Sequence, residues 1–304
     1  WYIFYMNWKD LTMLKCILLL LSEYYYKIIS ERIKEIREKT EPHCVQVSLQ
    51  KITDFTNEIL KDYEEVSKSR TDTLVITDDA KSAEMLLEEK QYVVILYHEG
   101  NRQQCFPAVR YGIEDLFQLE YSSLEEVYLR LAGLPWEILK TKRLLVREST
   151  LEDVDEFYRI YREPSITRYM EGLYEDRDEE MEYMKSYIDQ IYGFYGYGLW
   201  TVILKESGRI IGRAGLSVRE GCENPELGFL IDALYQGQGY GYEVCSGILK
   251  YAWEELKFEK IQALVDERNM VSIRLMKKLG FAFEKDVTLN GQDYRLYIKK
   301  LLTE

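Results

Sequence analysis

The most restrictive feature of this sequence is the stretch from Glu226 to Glu243, which reads ELGFLIDALYQGQGYGYE. An apolar run over residues 227–234 leads into a glycine-rich turn over residues 236–241, and a helical pattern opens at Glu243. Glycine permits the positive φ angles and the close ligand approach that such a turn needs. Because consecutive backbone N–H groups then point out of the loop at a helix N-terminus, the stretch predicts a site for a phosphate or pyrophosphate.

Composition limits the classes of partner. The chain has 304 residues, enough for two domains, and its 46% hydrophobic and 31% charged residues are typical of a globular protein. The formal net charge of −13 does not give the basic footprint of a nucleic-acid or anionic-membrane binder, and it favours cationic partners. The five cysteines are scattered and never form a C-x-x-C pair, which argues against a disulfide framework and a zinc site. We therefore expect a cytoplasmic protein that binds no metal, no nucleic acid and no membrane.

The first 41 residues are predicted to form a helical segment. Residues 12–21, TMLKCILLLL, are apolar but too few for a membrane span, and a buried helix is favoured over a signal-peptide core because a cationic leader and a cleavage site are missing. Residues 24–39 show helical periodicity with isoleucines near one face. That helix is expected to pack on a neighbour or on a second copy of itself, as in a homodimer.

Residues 42–136 are predicted to form a small Rossmann-like α/β domain of unassigned role. Short apolar runs typical of buried strands alternate with helical patterns of about ten residues, which implies parallel pairing with right-handed crossovers. The predicted strands cover residues 45–49, 73–77, 93–97 and 109–113, and the predicted helices cover residues 53–66, 80–90 and 124–131.

Polar residues follow two of these strands. Asp78 and Asp79 stand where some α/β proteins keep reactive carboxylates, but the Asp-x-Asp-x-Thr pattern of haloacid-dehalogenase-like phosphatases is missing, and the pair also fits a helix N-cap with an acidic first turn. Residues 98–101, His-Glu-Gly-Asn, fit either a ligand contact or a polar turn. A regulatory or docking role for this domain is favoured over a second active site.

Residues 141–304 are predicted to form a mixed sheet with helices on both faces. In chain order the pattern gives a strand over residues 143–147, helices over 152–161 and 178–192, a hairpin over 199–216, the strand, loop and helix described first, a strand over 261–265, a helix over 270–279 and a final hairpin around Asn290-Gly291.

This order of elements resembles the GCN5-related N-acetyltransferases, the GNAT family. Gln236-x-x-Gly239-x-Gly241 matches the acetyl-CoA signature of that family. The block Asn269-Met270-Val271-Ser272, which runs into Lys278-Leu279-Gly280-Phe281, matches the pattern after the fifth strand of the family. The blocks over residues 197–200 and 211–216 look like the subgroup of ribosomal-protein N-terminal acetyltransferases and related small-amine acetyltransferases. The resemblance covers residues 143–300.

The resemblance implies an acetyl-CoA-dependent N-acetyltransferase that acts on a primary amine, either a small cationic amine or a peptide N-terminus, by direct attack on the thioester. Backbone groups of Phe229, Leu230 and Ile231 would pair with the pantetheine arm, provided that the strand separates from its neighbour there, and Asn269 and Ser272 would lie close to that arm. The pyrophosphate would be bound by loop residues Gln236, Gly237, Gln238, Gly239, Tyr240, Gly241 and Tyr242.

For catalysis, the resemblance implies that Glu226 is the general base, against the alternative of a solvent-facing strand residue. Many members of the family carry a tyrosine seven residues after the asparagine that corresponds to Asn269, where it can protonate the departing thiolate. In this chain that position is Met276. Tyr235, with Tyr240 and Tyr294, is a candidate for the proton donor, or the thiolate leaves unprotonated. Acidic residues between Glu171 and Glu182 fit either a site for a cationic acceptor or a solvated helix face. The alternative function is a non-catalytic acyl-CoA sensor or interaction protein, favoured by Met276.

Overall fold

The computed structural model describes residues 14–52, 71–289 and 291–301. Two compact units divide between Leu134 and Pro135, and each has its own sheet. The helix predicted over residues 53–66 lies outside the described residues. Within the described ranges, none of the helices combines the length and the apolar character that crossing a bilayer requires.

The first unit is built on a sheet of five parallel strands in the order β2-β1-β3-β4-β5. Its strands are β1 (Cys16–Leu21), β2 (Gln46–Lys51), β3 (Thr73–Thr77), β4 (Tyr92–Leu96) and β5 (Tyr111–Ile113). Its helices are α1 (Glu23–Thr40), α2 (Ala80–Glu88) and α3 (Tyr121–Leu131). The parallel α/β architecture predicted for this part of the chain is confirmed.

One element of the first unit differs from its prediction. The apolar run over residues 12–21 was expected to be a helix, but Cys16–Leu21 forms β1, which pairs with β2 on one side and β3 on the other. All six residues of β1 are buried. A central parallel strand is covered on both faces, so its sequence is continuously apolar and carries no period that separates it from a buried helix. Helix α1 then buries Ile29 and Ile36.

The second unit is built on a mixed sheet of eight strands in the order β12-β13-β11-β10-β9-β8-β7-β6. Its strands are β6 (Glu137–Lys140), β7 (Leu144–Arg147), β8 (Leu199–Leu204), β9 (Arg209–Ser217), β10 (Glu226–Ile231), β11 (Lys260–Val265), β12 (Ala282–Leu289) and β13 (Gln292–Lys300). Strand β6 was not predicted. It is a four-residue edge strand that pairs only with β7, and so short a segment carries little periodicity.

Helices cover both faces of this sheet, as predicted. They are α4 (Val154–Tyr161), α5 (Pro164–Thr167), α6 (Arg177–Tyr187), α7 (Tyr240–Glu254) and α8 (Met270–Lys278). A π-helical turn, Ile188–Tyr192, extends α6. One face packs against α7 and α8 through residues such as Val244 and Ile273, and the other packs against α4 and α6 through Phe157 and Met184. We call the second face the α4–α6 face.

Strand β10 separates from β11 almost at once. It pairs with β9 along its whole length, but its parallel pairing with β11 consists of the single pair Glu226–Gln262. Strand β11 continues beside β13 over six residue pairs. The sheet therefore divides in its interior beyond Glu226, so the separation that a pantetheine arm needs is present.

Candidate functional site

The glycine-rich loop adopts the conformation that its glycines permit. Gly237 has φ +73° and Gly239 has φ +84°, both in the left-handed region. Gly239 is the N-cap residue of α7 and carries no side-chain cap. A residue with a Cβ would be strained at both positions. The sequence argument for glycine therefore applies to these two positions, whereas Gly241 lies inside the first turn of the helix.

The backbone N–H groups of this loop are left open by the protein. Among the described residues, no hydrogen bond uses the amides of Gln238 to Tyr242, and the first intrahelical bond of α7 runs from the Glu243 amide to the Gly239 carbonyl. Open amides at a helix N-terminus, with the partial positive charge of the helix dipole, suit an anionic group. The loop can therefore bind a pyrophosphate.

Side chains on both sides hold the loop in place. Gln236 Nε2 donates to the Ile231 carbonyl at 2.8 Å, and Gln238 Nε2 donates to the Leu234 carbonyl at 3.1 Å. The Gln236 side chain therefore fixes the loop instead of projecting into the site. Arg143 was not expected here: its Nη1 donates to the Gln238 carbonyl at 3.1 Å, and its guanidinium lies 4.1 Å from the centre of the Tyr240 ring.

Glu243 ties Arg143 to α7. Its carboxylate accepts hydrogen bonds from Thr141 Oγ1 at 2.6 Å, from the Arg143 amide at 2.7 Å and from Arg143 Nε at 2.6 Å. Burial opposes ionisation of this carboxyl, but the bonds from Thr141 and Arg143 outweigh it, so the pKa of Glu243 is lowered. Arg143, directly before β7, thus supplies a fixed positive charge beside the loop. No sequence signal could have identified it, because 100 residues separate Arg143 from Glu243.

Glu226 begins β10 with its side chain almost entirely buried. On β10 the side chains alternate, and Leu230 packs on the α4–α6 face, so Glu226 faces the same side. Arg219 Nε contacts Glu226 Oε2 at 2.5 Å, and Arg219 Nη2 contacts Oε1 at 3.3 Å. Burial raises the pKa of Glu226, and Arg219 opposes that rise. The site therefore holds a buried carboxylate with a half-exposed arginine partner, which the sequence did not indicate.

Three strand residues that the resemblance assigns to the pantetheine arm follow Glu226 on β10. Phe229, Leu230 and Ile231 occupy the part of β10 that has left β11. Leu230 and Ile231 are buried on opposite faces, so the backbone of this segment is what faces the gap. Gln262 sits across from Glu226 and is only 2% exposed, and its Nε2 has no hydrogen-bond partner among the described residues.

Asn269 and Ser272 form the start of α8. Asn269 is the N-cap, and its Oδ1 accepts from the Ser272 amide at 3.1 Å. Directly before them, Arg268 binds the Asp266 carboxylate at 2.6 Å, which lowers the pKa of Asp266 to about 2. Asn269 is therefore a helix cap. Its Oδ1 is used by the cap, so the side-chain amide N–H groups are the part that a ligand could contact.

The proton-donor candidates lie in different places. Met276 is fully buried in the core of the second unit. Tyr235 lies in the turn after β10 with its ring 6.3 Å from that of Tyr240, and Tyr240 is covered by Arg143. Tyr294, on β13, lies close enough to Arg219 to contribute to the rise in its pKa. Of the three tyrosines, Tyr294 is thus the one placed beside the Glu226–Arg219 pair.

The acidic stretch divides into exposed and buried members. Asp176 caps α6 by accepting from the amides of Asp178 and Glu179 at 2.7 and 3.2 Å. Glu180 is different, since it is 1% exposed and its pKa is affected by Arg213 of β9. The exposed members are Glu171, Glu175, Asp176, Asp178, Glu179 and Glu182.

Comparison with known proteins gives a consistent result for the second unit. A sequence model of the family described as "Acetyltransferase (GNAT) domain" matches residues 143–282. "Uncharacterized N-acetyltransferase YnaD" of Bacillus subtilis (strain 168) is 29% identical over 171 residues, 55% of this chain and 97% of that protein. "Probable N-acetyltransferase YjcK" of the same organism is 30% identical over 144 residues, 45% of this chain and 69% of that protein. The crystal structure of a GNAT-family acetyltransferase from Bacillus anthracis aligns with 54% of this chain and 98% of its own, at 22% identity and a TM-score of 0.46.

Proposed function

Since the chain belongs to the GNAT acetyltransferase family through residues 143–282, we propose that it transfers the acetyl group of acetyl-CoA to the primary amine of a cationic acceptor. Acetyl transfer to amines is the general activity of this family. The identity of the acceptor and the roles of individual residues are our proposal.

The observation that carries the proposal is the alignment of three features along one strand. Glu226 starts β10, the strand leaves β11 directly after it, and the open amides of residues 238–242 follow at its far end. An extended cofactor with its pyrophosphate on the loop would run along the separated strand, with its thioester toward Glu226. Arg143 supports the pyrophosphate end by its charge.

We assign the base role to Glu226. An ammonium group must lose a proton before its nitrogen can attack the thioester carbonyl carbon, and a buried carboxylate of raised pKa is suited to accept it, directly or through water. The nitrogen–carbon bond then forms and gives a tetrahedral intermediate with a positively charged nitrogen. That nitrogen loses its second proton to water or to the departing sulfur, the intermediate collapses, and the carbon–sulfur bond breaks with its electron pair on sulfur. A thiol pKa of about 8.5 lets the thiolate leave without prior protonation. Tyr235 is retained as the alternative donor, which Tyr235→Phe would test.

The acceptor class is inferred from charge. The exposed carboxylates of residues 171–182 border the α4–α6 face, on which Glu226 lies, and the whole chain carries a net charge of −13. A field of this sign raises the local concentration of cationic molecules. A small polyamine or a basic peptide end therefore fits the proposal better than a neutral or acidic amine.

The test is a thiol-release assay with acetyl-CoA and a panel of primary amines. We expect turnover with cationic amines, and Glu226→Gln should lower kcat/KM by about 10²-fold or more while acetyl-CoA affinity stays unchanged. Glu223→Gln, an exposed residue on the same hairpin, is the matched control. Full activity of Glu226→Gln would refute the base assignment.

A second candidate function rests on Met276. The chain has a buried core methionine where many relatives of this fold carry a proton-donating tyrosine, which favours a sensor that binds acyl-CoA without turnover. Tight acetyl-CoA binding combined with no thiol release from any amine of the panel would favour the sensor over the enzyme.

A further inference from the structure

Two buried charges on the α4–α6 face have no role in the reaction as described. Glu180 on α6 is 1% exposed, and Arg213 on β9 is 5% exposed. Arg213 pairs in register with Leu230 of β10, so it lies beside the strand proposed to hold the cofactor. Its guanidinium lies 4.6 Å from the centre of the Phe157 ring, which puts its side chain on the same face as Glu226.

Neither charge is fully satisfied. Glu180 Oε2 accepts from the Tyr174 amide at 3.0 Å, but Oε1 has no partner among the described residues, and Arg213 Nε has none there either. The Arg213 charge opposes the rise that burial causes in the pKa of Glu180, but the two side chains form no ion pair within the described part of the chain. Burial of a polar group without a hydrogen bond is costly, and native proteins leave few such groups. A buried acceptor, Glu180 Oε1, and a buried donor, Arg213 Nε, thus lie without partners on the α4–α6 face, and a bound ligand would supply both partners.

Tyrosines surround the two charges. Tyr161 interacts with the Arg213 guanidinium, and Tyr187 Oη accepts from the Leu199 amide at 2.7 Å. Tyr174 and Tyr183 form the solvent side, with ring centres 5.7 Å apart and exposed fractions of 50% and 45%. The cluster is therefore buried at the sheet and bordered by exposed aromatic rings at the surface.

We propose that Glu180 and Arg213 bind an amide group of the acceptor, so that the acceptor is an amine joined to at least one amide, as in a peptide. The proposal rests on the acetyltransferase function above and narrows its acceptor. An amide offers a C=O for Arg213 Nε and an N–H for Glu180 Oε1. A polyamine offers only donors and would leave Arg213 unpaired, whereas a carboxylate offers only acceptors and would oppose an ionised Glu180.

The spacing agrees with an extended acceptor. Arg213 lies opposite Leu230, four residues along β10 from Glu226. At about 3.3 Å per strand residue this is roughly 13 Å between the two positions on the strand. The long side chains of Arg213 and Glu226 shorten the distance that a ligand must cover. An extended peptide covers about 7 Å in two residues, so an amide in that position reaches the cluster if the Arg213 and Glu226 side chains lean toward each other and span the remaining distance.

The test compares acceptors that differ in a single N–H. The probes are a tripeptide with a free N-terminus, its two analogues in which an ester oxygen replaces the first or the second peptide N–H, and spermidine. We expect one ester analogue to lose about tenfold or more in kcat/KM with the unmodified protein, because Glu180 is then left without its donor. In Glu180→Leu the tripeptide and that analogue should react equally, and Glu180→Gln, which keeps an acceptor oxygen, should restore part of the difference.

The controls separate binding from folding and from the proposed function. Glu180→Leu removes an incompletely paired buried charge but also the acceptor of the Tyr174 amide, so the melting temperature of the variant is measured and all rates are compared at a temperature where it is folded. Equal rates for all three peptides with the unmodified protein, or an unchanged ratio in Glu180→Leu, would overturn the proposal, as would a preference for spermidine that Glu180→Leu abolishes. If no acceptor is acetylated, the proposed function fails instead, and calorimetric binding of the tripeptide to the CoA-loaded protein then decides: binding that Glu180→Leu weakens supports the site, and no binding overturns it.

Discussion

Two of the turns that lead from a buried strand into a helix treat their backbone amides in opposite ways. At the start of α2, the Ala80 amide donates to Gln104 Oε1 at 2.8 Å and the Ser82 amide donates to Asp79 Oδ2 at 2.8 Å. At the start of α7, glycine replaces the capping residue, and the described residues leave the amides unpaired. The first helix end is completed by the protein, whereas the second keeps the open amides that we propose bind the pyrophosphate.

The buried carboxylates differ in the same way, since Asp78 accepts more hydrogen bonds from the described residues than Glu180 or Glu226 does. Asp78 accepts from the Ser22 amide at 2.7 Å, from Ser22 Oγ at 2.5 Å and from His98 Nε2 at 3.1 Å. The Gly100 amide donates to His98 Nδ1, so Nε2 carries the proton. Asp78 thereby joins the ends of β1, β3 and β4, and it is a structural group. Glu180 has a carboxylate oxygen with no partner among the described residues, and Glu226 is paired there only with the half-exposed Arg219. Incomplete pairing of this kind is expected of groups that contact a substrate.

The largest effect is expected from Asp78→Ala. Loss of the carboxylate leaves three partly buried donors unpaired, so the free energy of unfolding of the first unit should fall by about 3 kcal/mol. Acetyl transfer at a temperature where the variant is folded should stay unchanged. Thermal unfolding and thiol release measure the two quantities, with Asp115→Ala as an exposed control. A loss of activity without a loss of stability would show that this edge of the sheet has a catalytic role.

Gly239→Ala tests the open helix end. A residue with a Cβ at φ +84° costs about 1–2 kcal/mol, and the loop relieves that strain by leaving the conformation that aligns its amides. We therefore expect acetyl-CoA affinity to fall about tenfold, measured by calorimetry. Gly196→Ala places the same strain at φ +73° outside the loop and should leave affinity unchanged. Equal losses in both variants would mean that the effect is general destabilisation.

Arg219→Gln tests how the base is kept ionised. Burial raises the pKa of Glu226 and Arg219 opposes the rise, so removal of the guanidinium should raise the pKa of Glu226 further. A base must be deprotonated, so the acid limb of the kcat/KM profile should move to higher pH, with a rate about tenfold lower on that limb. Arg219→Lys should return the limb toward its original position. An unmoved limb would mean that another group titrates.

The smallest effect is expected from the exposed acidic residues. Neutralising Glu175, Asp176 and Glu179, with Asp176 changed to Asn so that it still caps α6, should raise KM for a cationic acceptor about two- to threefold at low salt. Acetyl-CoA affinity should stay constant. The same change of charge at Glu84, Glu88 and Glu99 in the first unit is the control. Identical kinetics for the two triple variants would reduce the acidic stretch to a solvated surface.

Local sequence predicted the elements whose signal is local. The loop glycines, the apolar run of β10 and the N-cap at Asp79 could all be identified from neighbouring residues. Strand β1 was mistaken for a helix because a strand buried on both faces has no period. The contacts of Arg143, Arg219 and Arg213 could not be predicted, since each depends on which strands become neighbours or on how a hairpin folds back.

The division of the sheet between β10 and β11 has a further consequence for the protein without its cofactor. Two strand edges then face each other, and the amides of Phe229 and Ile231 point into the gap between them, because the Asp232 amide donates to the Ile211 carbonyl of β9 and successive amides of a strand alternate in direction. Amide exchange should therefore be fast at these two positions, although β10 stays paired with β9 and β11 with β13. A cofactor that binds there couples the two halves of the sheet. The free energy of unfolding then rises with the cofactor concentration, and it is about 4 kcal/mol higher at a concentration one thousand times Kd. The abundance of this protein in a cell would in that way follow the supply of acetyl-CoA.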